Sequence, residues 1–168
     1  MQKREQQKNQ KNNIRRIAIL HNVRSIHNVG TIFRTSDAFG VSEVFCSGYT
    51  PSPVDVLGQV RKDFAKTALG AEKNIVWKKV ENISLLIKKL QSEGVFVIAM
   101  ELDDSAVVLE KKIYTKGSVA LLVGNEIRGI SKQTLRLVDL IVEIPMRGIK
   151  ESLNVAVTFG IGAFSIFR

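Results

Sequence analysis

These 168 residues hold a single cysteine, one tryptophan, two histidines and three prolines. With one cysteine no internal disulfide can form. Cys46 lies in the apolar run Val44-Phe45-Cys46 and reads as a small buried hydrophobe of a reducing compartment, so a cytoplasmic protein is expected. His21 and His27, with one distant cysteine, lack the spacing of a metal-ligand cluster, and no metal is expected. The longest apolar stretch, Leu153 to Phe167, falls short of the roughly 20 residues that span a bilayer, which argues for a buried helix and against a membrane partner. No internal repeat, long low-complexity run or glycine-serine linker divides the chain.

Some familiar chemistries are excluded in the same way. Gly124 to Ser131 has the glycine spacing of a phosphate-binding P-loop, but Ile130 stands where the lysine is needed. No G-x-G-x-x-G follows the first strand, and no serine sits in a G-x-S-x-G elbow. Asp103 and Asp104 are adjacent just after a strand, so they point in different directions and suit a solvated turn better than an acid/base pair.

What is present is apolar content and positive charge. At 45% hydrophobic residues the chain can bury a continuous core. The formal charge is +9, of which the tail MQKREQQKNQKNN carries four cations against one anion, leaving +6 on the other 155 residues. Such a surface favours polyanions. Residues 1–13 lack the apolar h-region of a signal peptide and are expected to be a disordered basic tail, with one domain over 14–168.

Short apolar runs at Ile14–Leu20, Glu43–Ser47, Val95–Met100, Val119–Val123 and Leu140–Ile144 alternate with helical patterns at Asn28–Phe39, Ile83–Leu90 and Lys132–Val138. That alternation predicts an α/β fold, a parallel sheet covered by helices. Asn28 suits the N-cap of the first helix. Tyr49 to Glu72, with Pro51 and Pro53, reads as a partly helical surface loop. The last helix is apolar on nearly every side, so one face is expected against the sheet and another against a second subunit, which favours a homodimer.

Three segments combine polar residues with the ends of strands: HNVRSIHNVGTIFRTSDAFGV (21–41), LLVGNEIRGIS (121–131) and IPMRGIKESLNVAVTFGI (144–161). Loops leaving the carboxyl ends of parallel strands converge on a ligand crevice. As a set, Asn28 followed six residues later by Arg34, GNEIRGIS with Glu126, and IPM followed after five residues by SLNV, the chain resembles the SpoU, or TrmH-like, family of the SPOUT methyltransferases from about Ile14 onward.

The resemblance implies a SPOUT fold whose C-terminal stretch forms a deep trefoil knot, a homodimer, and transfer of a methyl group from S-adenosyl-L-methionine to a ribose 2′-hydroxyl of RNA, with tRNA preferred and rRNA the other candidate. It also implies that Gly124, Ile144, Met146, Ser152 and Leu153, with Leu102 as a further candidate, line the cofactor pocket. Arg34, Asn28, Glu126, Ser152 and Asn154 would surround the reacting ribose. A guanidinium stays protonated far above neutral pH, so Arg34 is expected to clamp a phosphate and steady charge on the attacking oxygen, while phosphate or water takes the proton. Arg15, Arg16, Arg24, Lys62, Lys66 and Lys132 could form a phosphate track, and His27 and Tyr49 could stack on bases. A SPOUT enzyme acting on a base, and a noncatalytic RNA-binding protein retaining the fold, are the alternatives.

Overall fold

The computed structural model describes residues 14–109 and 117–167; the basic tail expected at 1–13 lies outside the described residues. At the centre is β1 (Arg16–His21), whose middle four residues are buried. It pairs in parallel with β2 (Glu43–Ser47) on one side and β6 (Val119–Val123) on the other, with Ile17 opposite Glu43 and Ala120. Beyond these lie β3 (Val76–Val80), β4 (Phe96–Met100), β7 (Leu140–Glu143) and the two-residue β5 (Val107–Val108), in the spatial order β3-β2-β1-β6-β4-β7-β5. All pairings are parallel, so every strand ends on the same edge.

Side chains alternate across the pleat and build two cores. Ala18, Leu20, Ile98, Met100, Leu121 and Val123 face α1 (Ile26–Ala38), α2 (Lys62–Ala68) and α5 (Val155–Ile166). Ile17, Ile19, Val97, Ala99, Ala120 and Leu122 face α3 (Ile83–Ser92), which presents Ile83, Leu86, Ile87 and Leu90 at helical spacing. Phe33, Phe64 and Phe159 are wholly buried on the first side, each contributing about 1.5–3 kcal/mol of transfer free energy.

The structure corrects some boundaries. The first helix begins at Ile26, and its N-cap is Ser25, in extended conformation with its side chain accepting from the Asn28 backbone N–H; Asn28 is therefore not the cap. The consequence is chemical, because it frees the Asn28 amide to point elsewhere. The helix expected over Lys132–Val138 is the single turn α4 (Lys132–Leu135), capped by Ser131. The Tyr49–Glu72 region contains α2 and the start of a 3₁₀ turn, Ala71–Lys73. On α5, Val155, Ala156, Phe159 and Ala163 are buried while Val157 and Ile161 are 51% and 38% exposed. Among the described residues, no helix is long and apolar enough to cross a membrane.

Candidate active site

At the carboxyl edge of the sheet, the loops leaving β4, β6 and β7 and the start of α5 enclose a cavity of about 300 Å³. Its walls include Leu102, Gly124, Glu126, Ile144, Met146, Ser152 and Leu153. All six residues expected around the cofactor are thus brought together, along with Glu126 of the second set.

Two side chains that the sequence did not single out hold the loop that follows β6. Asn125 is buried; its Oδ1 accepts from the backbone N–H groups of Ile127 (2.9 Å) and Arg128 (2.7 Å). Its Nδ2 donates to the carbonyl of Asn22 (3.0 Å) and to Tyr49 Oη (2.9 Å). From the end of β4, Glu101 accepts the Ile130 N–H at 2.7 Å and its own neighbour Leu102 at 3.0 Å. A Cβ on Gly124 would meet Ile130 Cγ1 at 2.5 Å and the Gly129 carbonyl carbon at 2.9 Å, so the loop doubles back too closely for any side chain there. The signal available for Glu101 was an acid just beyond a strand's carboxyl end; for Asn125, a position inside the GNE motif.

The three motif segments meet through one chain of hydrogen bonds. The Glu126 carboxylate accepts from the Arg24 N–H (3.0 Å), the Ser25 N–H (3.1 Å) and Asn28 Nδ2 (3.0 Å). Asn28 Oδ1 in turn accepts from Asn154 Nδ2 at 3.1 Å, while Asn154 Oδ1 caps α5 by accepting from Ala156 N–H at 2.8 Å. Partial burial opposes ionisation of Glu126, but the surrounding donors outweigh it and hold its carboxyl below the ordinary value.

Arg34 is placed differently. It is exposed, does not line the cavity, and stands six residues after Asn28, roughly 120° around the same helix. Among the described residues it has no hydrogen-bonding or ion-pair partner. Of the expected phosphate track, Arg15 is tied to Glu43 (2.9 Å) and Glu93 (2.6 Å) at the amino end of β1, the edge opposite the site. Arg16 starts the same strand, so neither belongs to a track leading to the cavity. Lys66 pairs with Asp63 and Lys132 with Asp103. Asp103 also accepts from Ser105 N–H (3.0 Å) in a turn.

Charge inside the cavity runs against that of the whole chain. Glu101, Glu126, Glu143 and Glu151 line it with Arg128 as the one basic side chain among the described residues, beside the apolar Leu102, Ile144, Met146 and Leu153. An apolar slot next to carboxylates suits a ligand with a flat apolar ring and a positive centre.

The family model for the SpoU rRNA methylase family matches residues 15–164. The chain belongs to this family. The 23S rRNA (guanosine-2′-O-)-methyltransferase RlmB of Coxiella burnetii is 33% identical over 152 residues, covering 90% of this chain and 58% of that protein. Among solved structures, the AdoMet-bound rRNA methyltransferase of Sinorhizobium meliloti superposes with a TM-score of 0.80 at 29% identity, over 90% of this chain and 55% of its own. The A. aeolicus TrmH/SpoU tRNA modifying enzyme gives a TM-score of 0.78 at 26% identity, over 99% of this chain and 82% of its own. The chain therefore spans a little over half the length of the RlmB relative. The seven-stranded parallel sheet is the α/β fold of SPOUT methyltransferases.

Proposed function

We propose that this chain transfers a methyl group from S-adenosyl-L-methionine to a ribose 2′-hydroxyl of RNA. The observation that carries the reading is the Glu126–Asn28–Asn154 chain, which ties the three SpoU segments together beside a cavity of cofactor size. The names of the relatives support it. The C. burnetii name, for 23S rRNA, supports rRNA as the first substrate to test, and the A. aeolicus name supports tRNA as the second. RNA as substrate agrees with a cytoplasmic location.

Gly124, Ile144, Met146 and Leu153 would grip the adenosine part, and Ser152 and the carboxylates the polar end. When bound, the cofactor supplies an electrophilic methyl group on a cationic sulfur. Glu126, already satisfied by three donors, orients Asn28 rather than acting as a base; a carboxylate held ionised below its ordinary range is a weak proton acceptor. Arg34, with no partner among the described residues, is available to clamp a phosphate beside the reacting ribose and to stabilise negative charge on the 2′-oxygen. The proton leaves to that phosphate or to water. Positioning and exclusion of water by the cavity walls supply the acceleration.

Two finer features belong to the same reading. A C-terminal knot is supported by the strand order: β7 lies between β4 and β5, so the segment joining β4 to β6 passes beyond β7 before returning, and the chain after β7 comes back to pack α5 on β4 and β6. Chains generally avoid such threading, and membership of the SpoU family is the second support for it. A homodimer is supported by the outer face of α5, where Val157 and Ile161 lie open.

The test is incubation of the full chain with methyl-labelled S-adenosyl-L-methionine and unmodified rRNA and tRNA transcripts, followed by digestion to nucleosides. Label in a 2′-O-methyl nucleoside is the expected result. Label on a base, or cofactor binding without transfer to either RNA, would overturn it.

A further inference from the structure

A second recess opens on the other side of the loop that follows β6. It has a volume of about 520 Å³ and is lined by Arg24, Tyr49, Asn125, Ile127 and Arg128. It adjoins the cofactor cavity, because Asn125, Ile127 and Arg128 line both.

Its aromatic is exposed yet fixed. Tyr49 is 57% exposed, but its hydroxyl accepts from Asn125 Nδ2 at 2.9 Å and its backbone N–H donates to Asn22 Oδ1 at 3.2 Å. The turn beneath it is unusual: Asn22 has φ 59° and Gly48 has φ 60°, and a Cβ on Gly48 would stand 2.0 Å from Asn22 Oδ1. A non-glycine residue in the left-handed region costs free energy, and such strain is retained where a particular geometry is needed. Lys79 braces the same turn through the carbonyls of Gly48 and Thr50, and the buried Thr50 hydroxyl donates to the Leu20 carbonyl at 2.8 Å. The fold thus holds one face of a phenol ring out to solvent in a set orientation.

Its two cations form no ion pair among the described residues. Arg24 and Arg128 are both exposed, and among the described residues neither side chain has an acidic partner, whereas Arg15, Lys66, Lys78 and Lys132 do. Glu126 is held by backbone N–H groups and Asn28, which leaves both guanidinium groups able to take an anion between them. A fixed aromatic plane beside two unpaired forked cations is complementary to a nucleotide, whose base stacks on the ring while its phosphodiester accepts from guanidinium N–H groups.

We infer that this recess holds a nucleotide neighbouring the methylated one in the RNA strand, with its base on Tyr49 and its phosphate between Arg24 and Arg128. The inference rests on the proposed RNA-methylating reading for its choice of ligand, and it deepens that reading. The strand would cross the Asn125–Arg128 loop, so Asn125 couples the two cavities: the amide that orients Tyr49 also shapes the wall of the methyl-donor site through Ile127 and Arg128.

The experiment measures binding of the full chain to a fluorescein-labelled single-stranded RNA of mixed sequence, with no cofactor and no turnover. Tyr49→Ala should weaken binding on the order of 10-fold, and Tyr49→Phe, which keeps the ring, should lose far less. Arg24→Ala should lower the slope of log affinity against log salt by about 1, the signature of one lost phosphate contact. Calorimetric titration with S-adenosyl-L-methionine and a thermal melt accompany each variant. Wild-type RNA affinity in both Tyr49→Ala and Arg24→Ala, or absence of RNA binding by the wild type, overturns the inference. If these losses occur but the wild type transfers no methyl group, the proposed catalytic function fails and the nucleotide site stands.

Discussion

Asn28 Nδ2 donates to Glu126 Oε1 at 3.0 Å, joining residues 98 positions apart. Because Asn28 Oδ1 accepts from Asn154 at the same time, one amide spans three segments that have no contact along the chain. The Asn28→Ala variant should therefore lose methyl transfer by at least 10-fold while the melting temperature falls only a few degrees, as expected from about 1 kcal/mol per hydrogen bond. Asn28→Asp should be worse, since it sets a second carboxylate against Glu126. Single-turnover rates beside thermal melts check both.

Arg34→Ala should bind S-adenosyl-L-methionine nearly as well as the wild type, because Arg34 lies outside the cavity wall, yet transfer should fall by orders of magnitude. Arg34→Lys should recover little of the loss, since an ammonium cannot reproduce the forked contact with phosphate. Calorimetry for the cofactor and labelled transfer for the rate separate the two effects. Equal activity in Arg34→Ala would remove Arg34 from the mechanism.

Gly124→Ala places a methyl group against backbone, with the Gly129 carbonyl carbon at 2.9 Å, as well as against Ile130. Backbone cannot swing aside as a flexible side chain can. The loop must shift, at a cost of about 1–3 kcal/mol, and cofactor affinity should drop at least 10-fold. The measurement is the dissociation constant together with the denaturant midpoint.

The sheet was legible where a strand is an apolar run, including the partly buried Leu140–Glu143, and not where cations or brevity interrupt the pattern. Glu43–Ser47 and Val119–Val123 form the strands expected, because each is an unbroken buried run in the middle of a parallel sheet. No apolar run marks β3, Val76–Val80: it is an edge strand whose Lys78 and Lys79 reach out to Glu43 and to the carbonyls beneath Tyr49. The two-residue β5 is exposed and too short to leave a pattern. In the site, the motifs brought Gly124, Glu126, Asn28 and Asn154 forward. Glu101 and Asn125 stayed hidden because their work is to bind backbone N–H groups of a loop whose path no local pattern reveals. The Ser25 cap was missed because Asn28, three residues on, is an equally good capping residue by type.

The site's own groups give the acid range two features. Glu126 is depressed from the ordinary 4.5, so its stabilising contribution is complete above that pH and is lost as pH falls through the lower folded value. His21 is depressed from 6.5 by burial, so its neutral form favours the fold and stability begins to decline as pH drops below 6.5. Glu126→Gln should reduce the lower decline, to which Glu43 and Asp103 also contribute because ion pairing holds their carboxyls down, and leave the upper one. Melting temperatures across the acid range for the two proteins test the assignment.

The outer face of α5 gives the last prediction. Val157→Asp or Ile161→Glu should convert a dimer to a monomer in sedimentation velocity with the circular dichroism spectrum unchanged, because both side chains are partly exposed within one chain. A wild type that sediments as a monomer would remove the dimer from the proposal.

The Asn154 link also sets a clock. Asn154 stands just before the last helix, and it supplies the final connection to Asn28. Strands β1, β2 and β3 all precede Glu126 and Asn154 in the chain, so the links that join the three segments close only when the segment beginning at residue 154 has docked.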